Sequence, residues 1–206
     1  MTKAHIIRDS AEKGISYEAY GLLLKELSDT GKTTGPDQSP ELVGFTKLNA
    51  SRMRRLDKKV VVPSEAIRTL RTCIREPQLW LVITESWCGD AAQTIPVLHR
   101  VTEAVPDVRL QMVMRDENPG LTDLFLTGGA RSIPKLIILN RDFRVLHTWG
   151  PRSVKATTIV ETYRKEHGKI DAALKESLQI WYNRDMGQAI IEDLVQLLCI
   201  PCTESK

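Results

Sequence analysis

Cys88 is the residue whose type and position could carry chemistry most directly. It follows LWLVIT, an apolar run over residues 79–84 that is typical of a buried strand, and it precedes a stretch with helical periodicity. A sulfur at the start of a helix faces unpaired N–H groups and the positive end of the helix dipole, which favour thiolate over thiol. Since the thiolate is the attacking form of cysteine, this position predicts a nucleophile, with a buried structural cysteine as the alternative.

The elements around Cys88 alternate between strand and helix. Apolar runs predict strands at 79–84, 108–114, 135–139 and 143–149, the last two joined by a turn at 140–142. The helical stretch after Cys88 has an apolar side formed by Ala91, Ile95, Leu98 and Val105, and a short helix is predicted over 119–126. This order predicts an α/β protein whose sheet begins parallel and ends in an antiparallel edge.

Both ends of the chain are predicted to be helical. Within the first 75 residues, helix starts are predicted at Ser16, at Ser39-Pro40 and at Pro63-Ser64-Glu65. The second of these helices is predicted to carry Leu42, Phe45, Met53 and Leu56 on one side. From residue 151 onward, two further apolar stripes at helical spacing lie within 174–182 and 190–198.

The segment around Cys88 resembles the thioredoxin family. ESWCGDA stands where a thioredoxin has its Trp-Cys-Gly-Pro-Cys site, and Pro96 matches the proline of the family's active-site helix. SIPKLIIL contains Pro134, which matches the family's cis-proline, and Gly150 follows at the usual separation. The resemblance covers roughly residues 76–167. Within the family, the chain is similar to a bacterial subgroup with a WCGDA site.

The resemblance implies an α/β thioredoxin-like fold, with a central mixed β-sheet flanked by helices. It divides the chain into a helical N-terminal extension at 1–75, the thioredoxin-like domain at 76–167 and a helical C-terminal extension at 168–206. It also implies that the bond before Pro134 is cis and that the backbone of Ile133 can pair with an extended substrate segment. The implied substrate-binding residues are Trp87, Gly89, Asp90, Arg131, Ile133 and Pro134.

Two departures from the family pattern change the expected chemistry. Ala91 stands where thioredoxins have their second cysteine, so Cys88 can form a mixed disulfide but cannot resolve it within the motif. Val82 replaces the buried acid that serves the second cysteine in the family. Asp90 opposes a neighbouring thiolate and Arg131 could offset that effect, so the direction of the pKa shift of Cys88 is left open.

The remaining cysteines allow several interpretations. Cys199 and Cys202 form a Cys-x-x-Cys pair that could act as a tethered resolving relay, and two idle thiols in a tail are the alternative. Cys73 is interpreted as a small core residue, and all four cysteines are expected to begin as thiols. No second ligand pair completes a zinc site, so neither a metal nor a cofactor is expected. Monothiol glutaredoxins have a glycine pair after their cis-proline, whereas here Gly128 and Gly129 precede Pro134, so a glutathione site is not assigned.

Two functions from different classes follow from these residues. The first is a monothiol thiol-disulfide oxidoreductase that acts through Cys88 on a protein or small-molecule thiol or disulfide; the second is a non-redox binding or scaffold module with the same fold. The 29 basic and 26 acidic residues show no basic cluster, so no nucleic-acid partner is expected. Without a long apolar run or a secretory signal, no membrane partner is expected and a cytoplasmic location is predicted.

Overall fold

The computed structural model describes residues 2–199. The helices are α1 Lys3–Glu12, α2 Tyr17–Thr30, α3 Pro40–Lys59, α4 Ser64–Cys73, α5 Gly89–Ala104, α6 Pro119–Leu124, α7 Val154–His167, α8 Ala172–Asp185 and α9 Gln188–Cys199. The strands are β1 Gln78–Thr84, β2 Val108–Met114, β3 Lys135–Leu139 and β4 Val145–Trp149.

The four strands form one mixed sheet in the order β2-β1-β3-β4. Strand β1 pairs parallel with β2 and antiparallel with β3, and β3 pairs antiparallel with β4. Every residue of β1 is buried, which explains why this central strand is a continuous apolar run rather than an alternating one. The predicted parallel start and antiparallel edge of the sheet are therefore confirmed.

The N-terminal helices α2 and α3 form a layer beside α5, the helix that follows β1. Helix α3 lies against α5, and α2 lies against α3. Met53 and Leu56 of α3 are buried in the main core, whereas Leu42 and Phe45 are half-buried and line a cleft beside Cys88. The predicted side of α3 is therefore buried in the core in its C-terminal half and faces the cleft in its N-terminal half.

The C-terminal helices divide between two apolar clusters. Helix α9 joins the main core and packs against α4. Helices α7 and α8 instead form a small separate cluster of Ala156, Val160, Leu174, Leu178 and Tyr182. We refer to α7 and α8 together as the α7–α8 hairpin. Its separate cluster means that the hairpin does not contribute to the main core.

Cys73 and Cys199 form a disulfide that joins the last residue of α4 to the last residue of α9. Their Cα atoms are 5.2 Å apart and 126 positions separate them in the sequence. This bond corrects the interpretation of Cys73 as a free core residue and the expectation that these cysteines are thiols. Cys88 is the free cysteine among the described residues, and Cys202 lies outside them.

Helix length and apolarity also bear on the prediction about membranes. Among residues 2–199, no helix combines the length and the apolar character that a membrane crossing requires.

Candidate functional site

The sulfur of Cys88 lies at the start of α5 and opposite the loop before β3. Cys88 is the N-cap of α5, and its Sγ accepts a hydrogen bond from the Ala91 N–H at 3.4 Å. The Sγ also lies 3.4 Å from the carbonyl oxygen of Ile133, to which the thiol donates. The Ile133–Pro134 peptide bond is cis. The predicted sulfur, helix start and proline therefore lie in one place.

Burial decides the protonation of this sulfur. Cys88 is 8% exposed, and burial raises the pKa of its thiol to about 12, with a further contribution from the Asp90 carboxylate. The N–H groups of Ala91 and Asp90 and the charge of Arg152 lower the pKa, but they do not outweigh burial. The direction left open by the sequence is therefore upward, because burial opposes the thiolate that the helix start favours.

Asp90 connects α5 to the α7–α8 hairpin and to the residues just before it. Its Oδ2 lies 2.6 Å from Nη2 of Arg152, and its Oδ1 accepts a hydrogen bond from the Tyr182 hydroxyl at 2.9 Å. One turn further along α5, the Gln93 amide donates to the Gln179 side chain at 2.8 Å. Polar contacts therefore hold α8 across the start of α5.

Arg131 does not neutralise Asp90 as the sequence suggested. It is exposed and forms a bidentate pair with Asp123, with N–O distances of 2.7 and 2.8 Å. Arg152 is the cation that pairs with Asp90 and lowers the pKa of Cys88. The sequence did not identify Arg152, because it follows β4 and reaches the site only when the sheet brings β3 and β4 together.

Gly150 allows the backbone after β4 to approach Pro134 closely. Its φ is 109°, and a Cβ atom built on it would lie 2.4 Å from the carbonyl oxygen of Pro134. Only glycine avoids that clash, since any side chain would collide with backbone rather than with a flexible group. The match of Gly150 to the family pattern thus has a steric cause, and this close approach also places Arg152 near Cys88.

Trp87, which precedes Cys88, is held by a cation from the segment after β2. The guanidinium of Arg115 stacks over the Trp87 ring, 4.8 Å from its centroid, and also pairs with Asp116 at 2.8 Å. The segment 115–118 therefore contacts the turn at residues 85–88 twice, through Arg115 on Trp87 and through the Asp116 N–H on Glu85. The stacked guanidinium fixes the orientation of Trp87.

A buried polar cluster beneath this turn was missed by the sequence interpretation. Glu85 is fully buried; its carboxylate accepts hydrogen bonds from the Asp116 N–H at 2.9 Å and from the Thr34 hydroxyl. Ser86 accepts from the Thr34 N–H at 2.9 Å and exchanges a hydrogen bond with Thr46 at 2.8 Å. Burial raises the pKa of Glu85. The loop before α3, which includes the Gly31-Lys32-Thr33 segment, therefore anchors the turn at residues 85–88.

A cleft of about 500 Å³ opens beside Cys88, between α3 and the α7–α8 hairpin. Its apolar walls are formed by Leu42, Phe45, Val160, Ile170, Leu174 and Leu178. Its half-buried charged groups are Arg52, Asp90 and Arg152. Trp87, Cys88, Gly89 and Asp90 line this cleft, whereas Arg131, Ile133 and Pro134 do not. The volume suits a small organic molecule.

Replacing Asp90 by asparagine is expected to increase the reactivity of Cys88. Removing the carboxylate takes away a charge that opposes the thiolate and leaves Arg152 without its partner. We expect the alkylation rate of Cys88 at pH 8 to rise by roughly threefold to tenfold. The matched control is Glu176→Gln, which removes an exposed carboxylate from the rim of the same cleft. An unchanged or lower rate in Asp90→Asn would contradict this electrostatic assignment.

Comparison with known proteins gives one family and two similar structures. A family model described as Thioredoxin matches residues 35–165, a span that begins inside the expected N-terminal extension. No curated protein matches the chain significantly. A protein of unknown function from Pseudomonas aeruginosa is similar at 18% identity and a TM-score of 0.56, over 89% of this chain and 96% of that one. An HIV epitope-scaffold is similar at 18% identity and a TM-score of 0.53, over 89% and 97%.

Proposed function

Because this chain belongs to the thioredoxin family, we propose that it is a monothiol thiol-disulfide oxidoreductase that acts through Cys88. The observation that carries the proposal is the position of Sγ, at the N-terminus of α5 and 3.4 Å from the Ile133 carbonyl oxygen. The same residue lines a cleft large enough for a ligand. A thiol in this position can meet a second sulfur in line with the helix axis, where the N–H groups favour the developing negative charge.

The proposed reaction has two exchange steps. The Cys88 thiolate attacks one sulfur of a disulfide, the old S–S bond breaks, and the other sulfur leaves as a thiolate that takes up a proton. A second thiol then attacks the mixed disulfide, so that a new disulfide leaves and Cys88 returns to the thiol form. The electrons come from that second thiol, and Cys88 is unchanged after one cycle.

The second thiol is proposed to come from another molecule. Ala91 provides no sulfur in the motif, and the sulfur of Cys199 is already bonded to Cys73. A relay through Cys199 would first require reduction of that disulfide. The other half of the predicted relay, Cys202, lies outside the described residues.

The alternative, a non-redox binding module, is favoured by a different observation. A thiol that is 8% exposed and has a pKa of about 12 is a weak nucleophile at neutral pH. The cleft could hold a ligand without any sulfur chemistry. In that case Cys88 would serve as a small polar group in the wall of the cleft.

Mixed-disulfide formation separates these two functions. In the Cys202→Ser variant, the Cys73–Cys199 bond remains and Cys88 is the one free thiol. Incubation with bis(2-hydroxyethyl) disulfide at pH 8 is expected to add one hydroxyethylthio group per chain, seen by intact mass, and a reducing thiol is expected to release it. The Cys88→Ser/Cys202→Ser protein is the control and should gain no mass. A folded protein that gains no adduct at Cys88 would favour the binding module.

A further inference from the structure

Arg52 is a half-buried cation in the cleft that lacks an ion pair. Its Nη1 donates to Oδ1 of Asn49 at 2.9 Å, and no salt bridge involves it among residues 2–199. Burial, followed by the nearby charge of Arg55, lowers the pKa of Arg52, and the opposing effect of Asp90, which is paired with Arg152, does not outweigh them. A partly desolvated guanidinium without a carboxylate gains most when a ligand supplies an anion.

The position of Arg52 is built into the fold. Asn49 is 1% exposed, and its amide Nδ2 donates to the carbonyl oxygen of Ser86 at 2.9 Å while its Oδ1 accepts from Arg52. A Cβ atom built on Gly89 would lie 3.4 Å from Nη1 of Arg52. Asn49 therefore acts as a positioning residue that holds the guanidinium beside the residue after Cys88.

The other charged residues that line the cleft are either paired or exposed. Arg55, which does not line the cleft, adds a further positive charge near Arg52. Arg152 and Asp90 neutralise each other at 2.6 Å. Glu41, Lys175 and Glu176 lie on the exposed rim of the cleft. The half-buried part of the cleft therefore carries one uncompensated positive charge, and its walls are apolar. A complementary ligand has one negative group and an apolar body.

We propose that the cleft binds a small organic carboxylate, with its negative group on Arg52 and its apolar body between α3 and α8. This inference deepens the proposed function. Its redox part, which rests on that function, is that the substrate is a small anionic thiol or disulfide whose sulfur meets Cys88. A protein substrate fits less well, because Cys88 is 8% exposed and α8 is held across the start of α5 by Tyr182 and Gln179. A cleft of about 500 Å³ suits a small ligand better than it suits the flat surface of a protein partner.

Two aromatic disulfide probes of different charge test the substrate class. The dianion 5,5′-dithiobis(2-nitrobenzoate) and neutral 4,4′-dithiodipyridine are each reacted with the Cys202→Ser protein, and the rate at Cys88 is followed by the released thiol. Arg52→Gln is expected to slow the anionic probe by at least tenfold and to change the neutral probe by less than about twofold. Arg54→Gln is the matched control, since Arg54 is exposed on the same helix and donates to Ser51 instead. It should alter neither rate.

A binding measurement without sulfur keeps the two proposals separate. Titration calorimetry of 4-nitrobenzoate and of uncharged 4-nitrobenzamide is carried out on the Cys88→Ser/Cys202→Ser protein with and without Arg52→Gln. The carboxylate is expected to bind tighter than the amide, and Arg52→Gln is expected to weaken it about tenfold. If this holds but neither disulfide labels Cys88, the redox function fails and the anion site stands. If Cys88 is labelled but Arg52→Gln affects both probes equally and leaves carboxylate binding unchanged, the anion site is overturned.

Discussion

Alkylation of Cys88 by iodoacetamide at pH 7 is expected to be on the order of 100-fold slower in the folded protein than in the unfolded chain. The reason is the buried sulfur, whose pKa of about 12 leaves roughly 3000-fold less thiolate than an ordinary cysteine with a pKa of about 8.5. The more basic thiolate is intrinsically more reactive, which returns part of that loss. The rate should then rise about tenfold per pH unit from pH 7 to pH 10, because the thiolate fraction does so below the pKa.

The measurement uses the Cys202→Ser variant, in which Cys88 is the one free thiol. Its alkylation is followed by intact mass in native buffer and in guanidinium chloride, so the same cysteine serves as its own reference. A native rate that levels off above about pH 9 would show a thiol of ordinary pKa. That result would contradict the assigned burial and would strengthen the proposed redox function.

The raised pKa of Cys88 also makes the free energy of unfolding depend on pH. The folded state holds the Cys88 proton more tightly than the unfolded state, since the folded pKa is about 12. The contribution of this group to stability is therefore complete below about pH 8.5 and is lost as the pH rises toward the folded pKa, by about 1.4 kcal/mol per pH unit. Urea unfolding between pH 8 and pH 10 should show a smaller alkaline loss in Cys88→Ser, because serine does not titrate there.

Removing the disulfide by Cys73→Ala together with Cys199→Ala is expected to lower the free energy of unfolding by about 2–5 kcal/mol under non-reducing conditions. The bond closes a loop with a sequence separation of 126, so it excludes many conformations of the unfolded chain. It also joins α4 to α9 at their C-terminal ends. Of the changes considered, this one affects the whole fold rather than the site.

Urea unfolding with and without dithiothreitol checks this expectation. The reductant should bring the wild-type protein close to the double alanine variant and should leave the variant unchanged. Cys202→Ser, which removes a cysteine but not the bond, is the control and should behave as wild type. A wild-type protein whose stability does not respond to the reductant would show that the cysteines are not joined in solution.

Most of the sheet could be predicted from local patterns. Strands 108–114 and 135–139 have the predicted bounds, because apolar periodicity depends on residues that are neighbours in the sequence. The last strand was predicted from residue 143 but begins at Val145. Phe143 has a φ of 60° and belongs to the preceding turn, in which the Asn140 side chain accepts from the Arg144 N–H at 2.9 Å. Such side-chain capping of a turn is not visible in hydrophobicity.

The α/β thioredoxin-like fold expected from the landmarks is confirmed by the family match over residues 35–165 and by the mixed sheet. The charged groups of the site were harder to anticipate. Tyr182 is 92 positions from Asp90, and Arg52, Arg152 and Asp90 come together from three separate elements. Arg131 was chosen instead because it lies near Pro134 in the sequence, but its side chain pairs with Asp123. Proximity along the chain was a poor guide to proximity in space.

The order of residues alone was enough to place a sulfur at the beginning of a helix and to show that Ala91 leaves it without a neighbouring thiol. Both are local properties, set by the residues on either side of Cys88. The protonation of that sulfur, its access through a cleft and the bond between Cys73 and Cys199 depend on folding. Burial and electrostatic environment are sums over groups that distant segments bring together, and no local pattern contains them.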